Sequence, residues 1–163
     1  MVGSIPTVGA TFILCQTKNL EIMSTRSSIA IQHSDVEIES VYCHSDGYLE
    51  GVGTTLLNSY TMESRVKDLL KHGDISSLGY KLSPTEYDHS FATPEKGTTV
   101  FYGRDRGDKN IKSQIHFGIP DFIDARTSEH CEYLYLWSKG EWFVYRTALP
   151  TLGFVPLTTA KTY

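Results

Sequence analysis

The sequence predicts an α+β fold: an antiparallel sheet of about four to six strands, with a helical segment at about residues 49–72 packed on one face. Side-chain types alternate along two stretches near the ends of the chain, at 36–42 and, between aromatic and aliphatic residues, at 132–137, as is typical of strands. An aromatic content of 12% also favours sheet. The stretch after residue 48 instead keeps its apolar residues at helical spacing. A chain of 163 residues is long enough to bury a core without disulfides or metals.

The first predicted strands lie at 29–31 and 36–42. In the second strand, Val36, Ile38 and Ser40 point to one face, and Glu37, Glu39 and Val41 point to the other. The residues between them, His33-Ser34-Asp35, are typical of turns, so we expect an antiparallel hairpin.

Two short helices are predicted in the segment 49–72. The first has an apolar face made by Leu49, Val52, Leu56, Leu57 and Tyr60. Thr61 is the predicted N-cap of the second helix, and Gly73 follows its predicted end. Gly51 and Gly53 weaken the first turn, which indicates a close backbone approach, either to a packed strand or to a ligand.

The clearest hairpin is predicted near the C-terminus. Aromatic and aliphatic residues alternate in 132–137, Ser138-Lys139-Gly140 forms the turn, and 141–146 is the returning strand. A further strand is predicted at 98–102. The connection 80–97 is unusually long and polar, which indicates a functional or a mobile loop. The segments 111–117 and 121–125 fit neither helix nor strand clearly. We therefore predict one α+β domain at 23–146, preceded by an N-terminal extension at 1–22 and followed by a C-terminal tail at 147–163.

Composition limits the function classes. A net charge of −4 argues against broad contact with a phosphate backbone, so direct nucleic-acid binding is not expected. It suits binding to a basic protein surface. Cys15, Cys43 and Cys131 are too few and too widely spaced for a disulfide framework, which favours a reducing cytoplasm. No apolar run approaches the roughly 20 residues of a membrane span, so no membrane partner is expected.

The first chemical candidate follows the second strand. His44 and Asp46 have the residue types of a general base and the carboxylate that orients it. In the alternative, Asp46 caps the following turn and His44 packs locally. Cys43 and His44 point to opposite faces of a strand, so they are not expected to form an activated thiolate pair. His and Cys residues lack the paired spacing of metal sites, and no metal or cofactor is expected.

The second candidate is the sequence Arg104-Asp105-Arg106, bounded by glycines. Its two guanidinium groups could clamp a phosphate or carboxylate. In the alternative, they form internal ion pairs with Asp105 and Asp108. The glycine-rich stretch 47–53 precedes a helix and could bind an anion there, although Glu50 would repel it.

Five strings of the sequence, taken in order, together resemble a family of small, mostly uncharacterised proteins encoded by bacteriophages and prophages. They are STRSSIAI, YCHSDGYLEGVGTTLL, HGDISSLG, YGRDRGD and YLYLWSKGEWFVY, and the most specific of them spans 43–53. The resemblance covers about 23–146. Members of the family usually carry an aromatic residue where this chain has Ser45. The resemblance implies an accessory protein acting in the cytoplasm of an infected bacterium, and many such proteins block host defences, including CRISPR effectors, by binding them.

The leading hypothesis is therefore a phage-type protein that inhibits a bacterial defence system or another host factor by direct binding, without catalysis. Its partner would be a host protein or nucleoprotein complex. The expected contact surface combines 43–50, 80–97 and 103–109. Its predicted binding residues are His44, Asp46, Tyr48, Glu50, Arg104, Asp105 and Arg106. The alternative is a small-molecule or nucleotide site, enzymatic or sequestering, at which His44, Asp46, Arg104 and Arg106 converge.

Overall fold

The computed structural model describes residues 24–160, which form a mixed sheet with helices on both faces. The strands are β1 (Ser27–Ser34), β2 (Glu37–Cys43), β3 (Ile75–Ser77), β4 (Val100–Phe101), β5 (Gln114–His116), β6 (Tyr133–Ser138), β7 (Glu141–Arg146) and β8 (Val155–Pro156). The helices are α1 (Thr54–Ser59), α2 (Glu63–Lys71), α3 (Tyr102–Arg106) and α4 (Gly118–Ser128). A π-helical turn, Leu49–Gly53, precedes α1, and a 3-10 turn, Pro150–Leu152, precedes β8.

The α+β class is confirmed, but the sheet is larger than predicted and is not wholly antiparallel. Its strand order is β4-β3-β2-β1-β6-β7-β8. Strand β5 pairs with β2 at Ile38, Glu39 and Ser40. Strand β1 runs parallel to β6, and β2 runs parallel to β3. Each parallel pair is joined by a long stretch of chain that contains helices, as parallel neighbours require. The alternation of residues within a strand carries no information about the direction of its neighbour.

Both predicted hairpins are confirmed. Strands β1 and β2 pair antiparallel, as do β6 and β7. The turn between β6 and β7 places Lys139 and Gly140 at φ values of 51° and 82°, respectively. Positive φ at both central residues gives a turn whose twist matches that of the flanking strands.

The helical segment predicted at 49–72 packs on one face of the sheet, which confirms its position. Its largest fully buried side chains include Leu56, Tyr60 and Leu69, which share a core with Ile29 and Tyr135. Helix α2 begins later than predicted. The chain is still extended at Met62, which is the N-cap and makes no side-chain capping bond, so the prediction of Thr61 as the cap was wrong.

A second helical layer lies on the opposite face. The stretch 121–125, whose sequence pattern was ambiguous, belongs to α4. This helix buries Phe122 completely against a core that includes Ala30, Leu134 and Leu136. The faces of β6 are therefore divided as its alternation predicts: its leucines contact α4, and its aromatic residues contact the layer of α1 and α2.

The segment around residue 102 differs from the prediction. Strand β4 contains only Val100 and Phe101, and Tyr102 already begins α3. The predicted loop 103–109 is therefore partly helical. This short helix ends at Gly107, whose φ of 83° is the left-handed conformation that favours glycine.

The chain after residue 146 continues the sheet, because β8 pairs with β7. Leu157 and Ala160 are completely buried in the core beneath α1 and α2. The predicted N-terminal extension, 1–22, lies outside the described residues. Among the helices of residues 24–160, none is long and apolar enough to cross a membrane.

Candidate functional site

The segment 44–50, here called the acidic loop, leaves the end of β2 beside β3. Its first residues continue the sheet pairing, because the backbone N–H groups of His44 and Ser45 donate to the carbonyl oxygens of Ile75 and Ser76, each at 3.0 Å. Asp46 then turns the chain with a φ of 55°, a left-handed conformation that Asp tolerates better than most residues.

Hydrogen bonds with Thr25, Val52 and Tyr135 hold the backbone of the acidic loop in place. The buried Tyr135 hydroxyl donates to the carbonyl oxygen of Gly47 at 2.7 Å. The N–H of Gly47 donates to the carbonyl of Thr25, and the N–H of Val52 donates to that of Asp46, each at 2.8 Å. Burial raises the pKa of Tyr135, so its hydroxyl stays protonated and able to donate.

Close packing within the protein requires a glycine at position 51 and leaves little room for a side chain at position 53. A Cβ atom on Gly51 would lie 2.2 Å from the carbonyl oxygen of Asp46, which no side chain tolerates. A Cβ atom on Gly53 would lie 3.3 Å from the Tyr135 hydroxyl. Of the two alternatives for these glycines, the structure favours approach to packed protein, since both positions face protein atoms.

The side chains of the acidic loop contrast with its fixed backbone. Asp46, Tyr48 and Glu50 are all exposed, and Tyr48 is 38% exposed. The Tyr48 hydroxyl donates to the Asp46 carboxylate at 3.3 Å, and the charge of Asp46 raises the pKa of Tyr48. The loop therefore carries two carboxylates and a phenol in solvent on a rigid backbone.

His44 does not pair with Asp46. Its Nδ1 lies 2.8 Å from the hydroxyl of Tyr42, two residues earlier on the same face of β2. This arrangement corresponds to the alternative in which His44 bonds locally, and it gives no base and orienting carboxylate at this position.

The two arginines of α3 are occupied by neighbouring acceptors. Arg104 donates through Nε to Oδ1 of Asp105 at 2.8 Å, and Arg106 donates through Nε to Oδ1 of Asp108 at 2.8 Å. Burial opposes ionisation of Asp105, but the bonds from Arg104 and from the N–H of Phe101 hold its pKa below the ordinary range. This geometry favours internal ion pairs over a clamp for an external anion.

The connection 80–97 is organised around one carboxylate. Glu95 accepts hydrogen bonds from the backbone N–H groups of Thr85 and Glu86, from the Lys81 ammonium at 2.9 Å, and from the hydroxyl of Thr98. These bonds, led by that of Thr98, hold the pKa of Glu95 far below its usual range. This bonding argues against the interpretation of the segment as a mobile loop.

A second polar region, which the sequence analysis missed, lies on the α4 face of the sheet. It is a cleft of about 580 Å³. Its lining residues are Tyr42, Asp74, Asn110, Ile111, Lys112, Ser113, Gln114, Arg126 and Glu129. None of the seven predicted site residues lines it.

Arg126 lines this cleft and is only 2% exposed. Its Nε and Nη2 donate to the hydroxyl oxygen of Ser40 at 3.0 and 2.8 Å, and its Nη1 donates to Glu129 at 2.6 Å. The Ser40 oxygen also lies 2.6 Å from Nε2 of His116. Ser40 accepts twice from a group that can only donate, so its own proton must go to His116.

The contact between Ser40 and His116 resembles a nucleophile and its base, but the surroundings oppose that role. The two bonds from Arg126 occupy the lone pairs of Ser40, which is completely buried. Burial, and then the charge of Arg126, lower the pKa of His116, which keeps the ring neutral. The three side chains therefore form a structural network that fixes the position of the guanidinium group.

The two cysteines in the described part of the chain are buried thiols. Burial raises the pKa of both Cys43 and Cys131 to about 12, so neither is a thiolate near neutral pH. Within residues 24–160, no group of three or more His, Cys, Asp or Glu side chains has the arrangement of a metal site.

Comparison of the chain with protein-family models gave no match. Comparisons with curated proteins and with solved structures gave no significant match either.

Proposed function

We propose that this chain is a phage-type accessory protein that inhibits a bacterial defence system or another host factor by direct binding, without catalysis. The observation that carries the proposal is the acidic loop, in which a backbone fixed by buried hydrogen bonds exposes Asp46, Tyr48 and Glu50. A rigid loop loses little conformational entropy on binding, which favours affinity.

The chemistry of the loop indicates the kind of partner. Two carboxylates beside a tyrosine complement a basic surface that also offers apolar contact, because tyrosine combines a large contact area with one polar group. The net charge of −4 would assist approach to such a surface. Nucleic-acid-binding grooves of bacterial effector proteins are surfaces of this kind, which is consistent with a nucleoprotein target.

The arrangement of reactive groups supports binding rather than catalysis. Ser40 has its lone pairs occupied, the two buried cysteines are protonated, and His44 bonds to a phenol rather than to a carboxylate. The proposal of a phage origin rests on the resemblance described above. The most specific string of that resemblance, 43–53, is the acidic loop together with the glycines that pack beneath it.

The test uses tagged full-length protein as bait in bacterial lysate, followed by mass spectrometry. The loop variant carries Asp46→Lys and Glu50→Lys. The control variant carries Asp124→Lys and Glu141→Lys, an equal change of charge at exposed positions on α4 and at the start of β7. Wild type and control are expected to retain the same host protein in stoichiometric amount, and the loop variant is expected to lose it.

Expression of each variant in bacteria that carry an active CRISPR system provides the functional assay. Wild type and control should restore plaque formation by a targeted phage, while the loop variant should not. Retention of the partner by the loop variant at the wild-type level would refute the assignment of the binding surface. Failure of the wild type to retain any host protein would refute the proposal itself.

A further inference from the structure

The cleft on the α4 face contains a buried cation with unused hydrogen-bond donors. A guanidinium group has five N–H donors. Three of those of Arg126 donate to Ser40 and Glu129, which leaves two without a protein partner among residues 24–160. The bonds to Ser40 fix the plane of the guanidinium group, and Arg126 is one of the residues that line the cleft.

Asp74 supplies the complementary acceptor in the same cleft. Its Oδ1 accepts from the N–H of Tyr42 at 2.9 Å, and no hydrogen bond to Oδ2 is found within the described chain. Burial raises the pKa of Asp74, because few surrounding groups replace the water that a carboxylate normally binds. A ligand with N–H donors would supply that missing solvation.

The charges that line the cleft balance one another, since Arg126 and Lys112 offset Asp74 and Glu129. This balance favours a ligand whose bound part is neutral but carries acceptors on one edge and donors on the next. A cleft of about 580 Å³ has room for a planar ring system. Half-buried Tyr42 and Ile111 offer apolar contact for the faces of such a ring.

We propose that this cleft binds a guanine base, with O6 and N7 accepting from Arg126 and with N1–H and the 2-amino group donating to Asp74. Guanine is the base that presents an acceptor pair to arginine, and a carboxylate can accept from its two neighbouring N–H groups. Adenine carries an amino group where guanine carries O6, so its donor would face the donors of Arg126. This site is separate from the acidic loop and does not depend on the binding function proposed above.

Asp74→Asn gives a test that distinguishes recognition from loss of structure. The amide oxygen still accepts from the N–H of Tyr42, while the amide nitrogen becomes a donor. The variant should therefore lose guanosine and gain xanthosine, whose carbonyl at C2 replaces the amino group. Loss of a charge-assisted hydrogen-bonded pair should weaken guanosine binding roughly ten- to hundred-fold. Asp124→Asn, an exposed change on α4, is the matched control.

Isothermal titration calorimetry would measure binding of guanosine, adenosine and xanthosine to the full-length wild type and both variants, with circular dichroism to check folding. The expected result is guanosine binding without adenosine binding in wild type and control, with the preference changed to xanthosine in Asp74→Asn. Should Asp74→Asn fail to fold, guanosine-induced NMR shifts in wild type, centred on the Ser113 and Gln114 amides, would support the site. Absence of binding to wild type at millimolar guanosine, equal binding of adenosine, or unchanged guanosine affinity in folded Asp74→Asn would overturn the proposal.

Discussion

The hydrogen bond between Tyr135 and Gly47 can be removed with almost no change of shape by Tyr135→Phe. The carbonyl oxygen of Gly47 is buried, and it accepts from no other group in the described chain. Leaving a buried acceptor without a donor costs about 1–3 kcal/mol. In a chain of this size, each kcal/mol lowers the melting temperature by about 2–4 °C.

Tyr60→Phe is a matched control for this change. The Tyr60 ring is also completely buried, and its hydroxyl donates to the carbonyl of Gly79 at 2.7 Å. That carbonyl also accepts from the hydroxyl of Thr99 at 3.1 Å, so it stays bonded in the variant. We therefore expect a smaller loss of about 0.5–1.5 kcal/mol, with no effect on the acidic loop.

Urea unfolding and amide hydrogen exchange would separate the two variants. Tyr135→Phe should lower the unfolding free energy more than Tyr60→Phe and should speed exchange of the Val52 amide, which donates to Asp46. If exchange in the loop were unchanged, or if Tyr60→Phe increased it equally, the loop would not depend on the Tyr135 hydroxyl. The rigidity on which the proposed function rests would then have another source.

Three further changes have expected outcomes. Gly51→Ala would place a methyl group 2.2 Å from the carbonyl oxygen of Asp46 and should cost about 1–3 kcal/mol in urea unfolding. Asp74→Asn should be more stable than wild type at pH 7 in thermal unfolding, because burial raises the pKa of the Asp74 carboxyl and so penalises its charged form. The difference in stability between variant and wild type should disappear as pH falls below the ordinary pKa of 3.8. The pKa of Glu95 is depressed, mainly because Thr98 donates to it, so the contribution of Glu95 to stability should be lost progressively as pH falls below 4.5. Limited proteolysis below this pH should show cleavage of the loop around Glu95, and Glu95→Gln should remove the pH dependence.

Each of these outcomes has a control or a contrary result. Gly103→Ala should be nearly neutral, since the nearest atom to its added Cβ lies 3.8 Å away. Equal effects of the alanine changes at 51 and 103 would show that close approach does not explain the first. A stability difference for Asp74→Asn that grew with acid would contradict the sign of its pKa shift. Acid-induced cleavage that persisted in Glu95→Gln would place the titrating group elsewhere.

The hairpins were predictable because their information is local. In β6, aromatic and aliphatic residues alternate, β7 is rich in aromatic residues, and the turn ends in Gly140, so strand, register and turn can be read within fifteen residues. Helix α4 was missed because Gly118 and Pro120 near its start are typical of loops. The parallel pairing of β1 with β6 leaves no local sign, since neither strand encodes its neighbour's direction.

In the candidate sites too, features produced by adjacent residues could be predicted, and features produced by distant residues could not. The turn at Asp46 and the chemistry of the acidic loop were visible because adjacent residues produce them. Arg126 was not visible, because an arginine is usually exposed. It is buried here because it bonds to Ser40, 86 positions earlier in the chain. Only the assembled sheet brings those two residues together.

The parallel pairing of β1 with β6 also sets an order on folding. Beyond the last paired residues, Gln32 and Ser138 are joined by a hydrogen bond although 106 positions separate them. The β1–β2 hairpin leaves the ribosome long before β6 has been synthesised. One edge of β1 therefore has unpaired backbone N–H and C=O groups during synthesis. Closure of so long a loop makes this pairing a late and slow event. Release of the C-terminal hairpin, rather than formation of the first one, should therefore be the step that commits the nascent chain to its native state.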